Sequence, residues 1–429
     1  MPLPTAFVAS RAAACLAASL AGAWVLCSTP APACAGPLNP PAGAIASTAK
    51  PLAEIEPRTA VNASNTPGDA DSVYRITQPG SYYLTGNITG VAGRHGIQIS
   101  SSGVTLDLNG FELRGVAGSL DGVNIGASDG VNIVVRRGSI RNWGDNGLEC
   151  EYNAGHPPTC NLFDLTFSGN ANMGVQVWSG SRLVDCTANE NTGGGFSDVG
   201  DCSYTGCGAA FNGGDGFNTN SACTLNKCTA EANTGTGINT GLGCTVNACV
   251  TSGNATGFSL GLGTIATACS AYSASGNGFS TSSGAALTGC IASRNGASGF
   301  VLASGSSITN CTARENTGDG IRVSSRCLVL NCTASTNGLS AGDGAGIHAT
   351  SSHNRIEGNH CTSADRGIDV DSADNFIARN TCGSNTLNWD VAAGNSCLVV
   401  LMTPAAGAIS GDSGGASPGS TNPQANFTY

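Results

Sequence analysis

The stretch CTAEANTGTGINTGLGCTVNAC, residues 228–249, begins and ends in cysteine and carries a single charge, Glu231. The 21-residue step between its ends recurs: Cys186, Cys207, Cys228, Cys249, Cys269, Cys290, Cys311 and Cys332 are followed by Cys361 and Cys382. A second ladder keeps time with the first: Phe196, Phe217, Ile238, Phe258, Phe279, Phe300, Ile321, Ile347, Ile368 and Trp389. Both ladders shorten by one residue at the same place, from 249 to 269 and from 238 to 258. A third sits five residues after the cysteine, at Asn191, Asn212, Asn233, Asn254, Asn295, Asn316 and Asn337. Leu165, Asn170 and Val175 carry all three back by one repeat. Fixed-period self-similarity of this kind marks a stacked-repeat architecture.

A unit of about 21 residues is too short for two helices, and it lacks a 3.6-residue pattern. It offers short alternating pieces, GINT, GFST and GIRV, between Gly/Asn/Ser turns. None can bury its apolar side alone, whereas stacked coils can, each strand pairing in parallel with the coils before and after it. The sequence therefore predicts an all-β chain, a right-handed parallel β-helix (solenoid) with about 21 residues and three short strands per coil. Roughly 12–14 coils at about 4.8 Å each would make a rod of about 60 Å. The Phe/Ile and Cys columns would fill its interior, and the Asn column would bond coil to coil.

Composition agrees. Of 429 residues 62 are Gly and 11% are charged, with Lys only at Lys50 and Lys227, so turns and short strands must dominate over helix. A net charge of −10 disfavours nucleic acid and anionic membrane as partners. At the N-terminus Arg11, the apolar run 12–26 and the triplet Ala33-Cys34-Ala35 read as a secretory signal over 1–35, cleaved near Gly36. A retained anchor, or a lipoprotein signal at Cys27 or Cys34, is the alternative. Residues 36–70 are Pro/Ala-rich and read as a linker or lead-in segment, 71–400 as the solenoid, and 401–429 as a Gly/Ser/Pro-rich tail or cap. With no second apolar segment, and so no membrane span, the mature protein is expected in the periplasm, at the cell surface or outside the cell.

The cysteines admit two readings. As small buried hydrophobes they fill a corner of the interior. Alternatively Cys202/Cys207, Cys223/Cys228, Cys244/Cys249 and Cys327/Cys332 repeat C-x4-C and would bond within a coil, as exported proteins permit. Cys150 and Cys160 bracket EYNAGHPPT, a bulging loop that a disulfide would close. Metal binding by the column lacks the His/Cys spacing of a zinc site.

The segments 72–115, with GVTLDLNGFEL, together with NRIEGNHCTSADRGIDV (354–370) and NFIARNTCGSNTLNWDV (375–391), resemble the right-handed β-helix repeats of the pectate-lyase-like superfamily and of NosD-like exported proteins. The resemblance spans about 72–400. It implies the fold; for function it implies only a scaffold that carries lyases, hydrolases, epimerases, adhesins and metal-accessory proteins.

In a solenoid, outward side chains form columns. The position after the Phe/Ile ladder reads Gln176, Ser197, Asn218, Asn239, Ser259, Ser280 and Val301, then Arg322, His348, Asp369 and Asp390, with Asp371 on the same side. This strip is the candidate catalytic set. Carboxylates about 5 Å apart on adjacent coils, or about 7 Å apart along a strand, suit acid/base cleavage of a glycosidic bond. Arg322 would steady a uronate, His348 would shuttle a proton, and the carboxylates could hold Ca²⁺ if the protein is an enzyme. A longer loop over 338–346 would border the strip. The competing reading is a solvated face that discourages end-to-end stacking. His353 and His360 read as surface histidines, Arg136 and Arg137 as a small solvated basic spot, and His156 as incidental. Asp215, Asp319 and Asp343, each before Gly, read as turn formers, and Asn-Cys-Thr at 310 and 331 as structural rather than a glycosylation acceptor. The column Thr187, Thr229, Thr312, Thr333, Thr362 is too interrupted for ice binding.

Two functions compete. The first is a non-catalytic exported scaffold without a cofactor, binding a polysaccharide, a cell-surface glycan or a surface protein through its long neutral face. The second is a polysaccharide lyase, hydrolase or epimerase acting at the strip; scarce aromatics and near-absent Lys count against it. Metal delivery in the NosD manner lacks a ligand set.

Overall fold

The computed structural model describes residues 56–126, 131–151, 158–338, 344–401 and 422–429. The expected signal over 1–35 with Cys27 and Cys34, the linker up to residue 55, His156, Asp343 and residues 402–421 of the tail lie outside them. The described residues form strands and turns without a helix. One sheet takes a single strand from each coil, 15 in all, from Ser72–Ile76 to Leu387–Val391. Two further faces run together as a 30-stranded sheet, because the nine-residue strands Ile133–Arg141 and Cys160–Ser168 cross from one face to the other. Every coil-to-coil pairing is parallel, with Phe196 opposite Phe217, Phe217 opposite Ile238 and Ile238 opposite Phe258.

Fifteen coils exceed the 12–14 expected, and at about 4.8 Å each the rod is roughly 70 Å long. The surplus lies at the N-terminal end. There Ile97 pairs with Val123, Val123 with Leu148, and Leu148 with Val175, steps of 26, 25 and 27 residues that hide the 21-residue period. Strand Thr59–Ala60, inside the segment read as linker, already pairs with Gly80–Tyr83. At the other end Asn426–Thr428 pairs in parallel with Val399–Leu401 and with Thr381–Gly383, so the last residues close onto the final coils.

Three columns hold the coils together. Phe258 and Phe279 stack at 4.5 Å, and Phe279 and Phe300 at 4.9 Å, each ring fully buried; burying such a side chain contributes about 1.5–3 kcal/mol. Before each Phe/Ile stands a glycine that close packing demands. A Cβ on Gly257 would lie 2.4 Å from the Gly278 carbonyl oxygen. Beside them the asparagines bond vertically: Asn233 Nδ2 donates to Asn254 Oδ1 at 3.0 Å and to the Ala209 carbonyl at 3.0 Å. Between the second and third strands of a coil one residue turns left-handed. Lys227 (φ 55), Asn310 (φ 54) and Asn331 (φ 53) occupy this corner, which gives the asparagines of both Asn-Cys-Thr motifs a backbone role.

The cysteine ladder needs a correction beyond Cys332. Thr333 pairs with His360 and Ala334 with Cys361, so Cys361 and Cys382 continue the alanine column, two positions away. Asn359 takes the cysteine place and accepts the Cys332 amide hydrogen at 2.8 Å. The lengthened coil between Cys332 and Asn359 disguised this substitution.

The 17 cysteines from Cys150 to Cys397 stand as free thiols, and those of the column contact the next coil. Cys202 and Cys207 both face inward, as do Cys223/Cys228, Cys244/Cys249 and Cys327/Cys332, with the buried side chains of Tyr204, Leu225, Val246 and Val329 between them in sequence. The Cys202 amide instead donates to Cys223 Sγ at 3.3 Å, and the Cys228 amide to Cys249 Sγ at 3.4 Å, one coil on. Cys150 and Cys160 lie within thiol hydrogen-bond reach of each other, and burial pushes the Cys150 thiol well above its ordinary range. Arg136 and Arg137, part-exposed as a basic spot should be, are also ion-paired. With Arg58 they surround the fully buried Asp107. Burial opposes the charge on Asp107, but the Arg137 guanidinium outweighs it and holds the carboxyl low.

Candidate functional site

The outer face of the 15-stranded sheet carries the strip. Ile321, Ile347 and Ile368 point into the core, so the next side chain along each strand points out. Arg322 stands opposite His348, His348 opposite Asp369, and Asp369 opposite Asp390, as the column requires.

His348 is the hub. Its Nδ1 lies 3.1 Å from Asp319 Oδ2, and its Nε2 lies 3.1 Å from Asp371 Oδ2 and 3.8 Å from Asp369 Oδ2. Burial alone would depress the imidazole, but Asp319 and Asp371 outweigh it and hold His348 at about 9, so it is a doubly donating imidazolium at neutral pH. Asp369 is nearly buried, and that burial lifts its carboxyl above the ordinary range against the pull of His348 and Arg366. Arg366, at the head of the same strand, ties the lower part of the strip together: Nη1 lies 3.3 Å from Asp369 Oδ2 and Nε lies 3.0 Å from Asp390 Oδ2. These groups line an open cleft of about 350 Å³ with Val370, Val391 and Ala392.

Two members were absent from the sequence reading. Asp319 was read as a turn former, and it is one, for Oδ1 accepts the Ala345 amide hydrogen at 2.9 Å; its other oxygen reaches His348. Arg366 lay outside the column that was followed. Arg322 is brought next to His348 but makes no ion pair with these carboxylates among the described residues. His353 and His360 do not join the strip. His360 donates to or accepts from Thr381 Oγ1 at 2.8 Å, and its ring stacks on Tyr429. A second shallow cleft, about 270 Å³, opens at mid-length of the solenoid between Asp198, Asn218, Asn220 and Asn239.

Chemically, the strip is a linked salt cluster of four carboxylates and two cations: Asp369 and Asp390 share Arg366, and Asp319 and Asp371 share His348. His348, Asp369 and Asp371 present ligand atoms within 4.8 Å of one another. A cation there would compete with the His348 proton and with Arg366.

A family profile described as a right-handed β-helix region matches residues 239–387. Among solved structures, the A-module of mannuronan C-5 epimerase AlgE4 from Azotobacter vinelandii is 14% identical. The match covers 74% of this chain and 90% of that one, at a TM-score of 0.42. The periplasmic alginate epimerase AlgG is 12% identical over 73% and 77% of the chains (TM-score 0.32), and the pectate lyase Pel9A is 16% identical over 71% of each (TM-score 0.28). No curated protein sequence matches.

Proposed function

We propose that this right-handed parallel β-helix, of the pectate-lyase-like kind, is an exported, non-catalytic scaffold that binds a glycan along its 15-stranded face. One observation carries the reading. Gln176, Ser197, Asn218, Asn239, Ser259 and Ser280 stand in register on six successive coils, and this neutral hydrogen-bonding column runs toward the His348–Arg366 cleft. Amide and hydroxyl side chains at a regular spacing complement sugar hydroxyls, which donate and accept alike. The internal ion pairing of the strip supports binding over turnover, because Arg366 and His348 already occupy the carboxylates that hydrolysis or lyase chemistry would need. Exposed Arg322 offers a partner for an acidic substituent on the glycan.

A glycan array with the mature chain, run beside reducing-sugar and unsaturated-product assays with and without Ca²⁺, tests this. The expected result is binding without turnover, weakened at least tenfold by Asn218→Ala with Asn239→Ala. Binding only to a protein ligand would transfer the face to a surface-protein partner. Turnover abolished by Asp369→Asn would sink the proposal and establish the polysaccharide lyase, hydrolase or epimerase reading, with Ca²⁺ as its cofactor if activity required it.

A further inference from the structure

The same outward column carries a second group of carboxylates at the opposite end, and there the charges are not compensated. Gln98, Asn124 and Glu149 follow Ile97, Val123 and Leu148 and stand in register. Around them gather His95, Asp121, Asp145 and Glu151. Ligand atoms of His95, Asp121 and Glu151 lie within 4.8 Å of one another, and so do those of Asp121, Asp145 and Glu149, with Asp121 common to both sets. Four carboxylates thus face one imidazole, and no Arg or Lys pairs with them among the described residues.

One observation points to a ligand. Asn124 is fully buried and directed into the group, its Nδ2 donating to Glu151 Oε1 at 2.8 Å and to Asp121 Oδ2 at 3.3 Å, yet its Oδ1 has no partner. An orphaned buried acceptor among carboxylates calls for a donor or a cation. His95 Nδ1 accepts the Asp121 amide hydrogen at 3.2 Å while facing Asp121 Oδ2 at 3.1 Å. The imidazole thus lies directly against the Asp121 carboxylate, within ordinary hydrogen-bond reach. About 3 Å is also the separation of adjacent ligands around an octahedral ion with bonds of about 2.1 Å.

We infer that Asp121, His95 and Glu151 hold a divalent transition-metal ion, of the Mn²⁺ or Zn²⁺ class that accepts mixed imidazole and carboxylate ligands. The site lies on the first regular coils, where the wide 25- to 27-residue steps leave the solenoid least uniform.

Mn²⁺ alone is the probe, added to the full chain and followed by calorimetry and pulsed electron paramagnetic resonance. The expected result is one tight site with ¹⁴N coupling from an imidazole, weakened at least tenfold in Glu151→Gln and in Asp121→Asn and unchanged in Asp371→Asn. Glu151 is part-exposed and its substitution spares the core, which keeps the test valid if Asp121→Asn misfolds. No binding at millimolar Mn²⁺, binding unaltered by Glu151→Gln, or binding lost in Asp371→Asn would each overturn the inference.

Discussion

Replacing His348 with Gln should change how stability depends on pH, in a direction the geometry fixes. In the folded protein the imidazolium donates to Asp319 and Asp371 at 3.1 Å each and stands 3.8 Å from Asp369, which holds its pKa at about 9. In the unfolded chain it returns to about 6.5. The folded state therefore binds this proton more tightly. Its contribution is fully present below about pH 6.5 and is lost as pH rises through about 9. At 1.36 kcal/mol per decade the interval is worth about 3 kcal/mol, and a histidine side chain only 16% exposed needs little discount for solvent screening. The other groups around it, Arg322, Arg366 and Asp390, are present in both proteins. Glu149 and His95, which also titrate differently on folding, lie at the far end and cancel in the comparison. Denaturant unfolding from pH 6 to 9.5 should show the wild-type chain losing about 3 kcal/mol relative to His348→Gln. Solenoid unfolding can depart from two-state behaviour, so an NMR titration of the His348 ring should accompany it. Parallel pH profiles for the two proteins, with a ring pKa near 6.5, would refute the reasoning.

Three further outcomes follow from the interior. Asn233→Ala leaves the Asn212 amide and side chain without their acceptor and the Ala209 carbonyl without its donor, and should cost about 3 kcal/mol or more by denaturant unfolding. Gly257→Ala should destabilise by at least 2 kcal/mol through overpacking, since its Cβ would fall 2.4 Å from the Gly278 oxygen and 2.8 Å from Ala271 Cβ; a neutral Tm shift would contradict the close approach of the coils. Native-state alkylation mapped by mass spectrometry should label Cys397, the half-exposed thiol, before any of the sixteen buried ones from Cys150 to Cys382. Oxidation should then link Cys150 to Cys160 rather than Cys202 to Cys207.

The regular coils from 175 to 332 were legible because each inward position repeats its chemistry, and a parallel stack allows no other register for Phe196, Phe217 and Ile238. Legibility failed where chemistry was exchanged within a column. At Asn359 an amide replaces a thiol, bonding upward to Cys332 and downward to Asn380 Oδ1 at 2.9 Å, while Cys361 two residues on enters the alanine column. Both residue types fit an interior corner, so counting cysteines followed the wrong one. The N-terminal coils, read as solenoid through resemblance, fall outside the ladders for a different reason. Their insertions fall on turns, which a solenoid tolerates without disturbing strand pairing, so the period breaks while the stack does not.

The site shows the same division between columns and turns. Arg322, His348, Asp369 and Asp390 could be found because a column is a one-dimensional pattern, but the groups that decide their charge state come from outside it. Asp319 precedes Gly320 at the turn into its strand, as Asp121 precedes Gly122, and each lends a carboxylate oxygen to a histidine on a neighbouring coil. An Asp-Gly step is thus ambiguous in sequence: one oxygen can satisfy the turn while the other is free to reach across about 4.8 Å to the adjacent coil. Whether that reach produces a compensated pair or an anionic nest depends on what else faces it. At the C-terminal end Arg366 bridges Asp369 and Asp390, whereas at the N-terminal end Asp145, Glu149 and Glu151 add charge with no Arg or Lys beside them among the described residues. Moving one cation should therefore interconvert the two. Arg366→Gln would leave Asp390 without its guanidinium and Asp369 with His348 alone, beside Asp371, and Mn²⁺ affinity should rise at that end. Unchanged Mn²⁺ stoichiometry in Arg366→Gln would show that carboxylate crowding alone does not set where this face takes a metal.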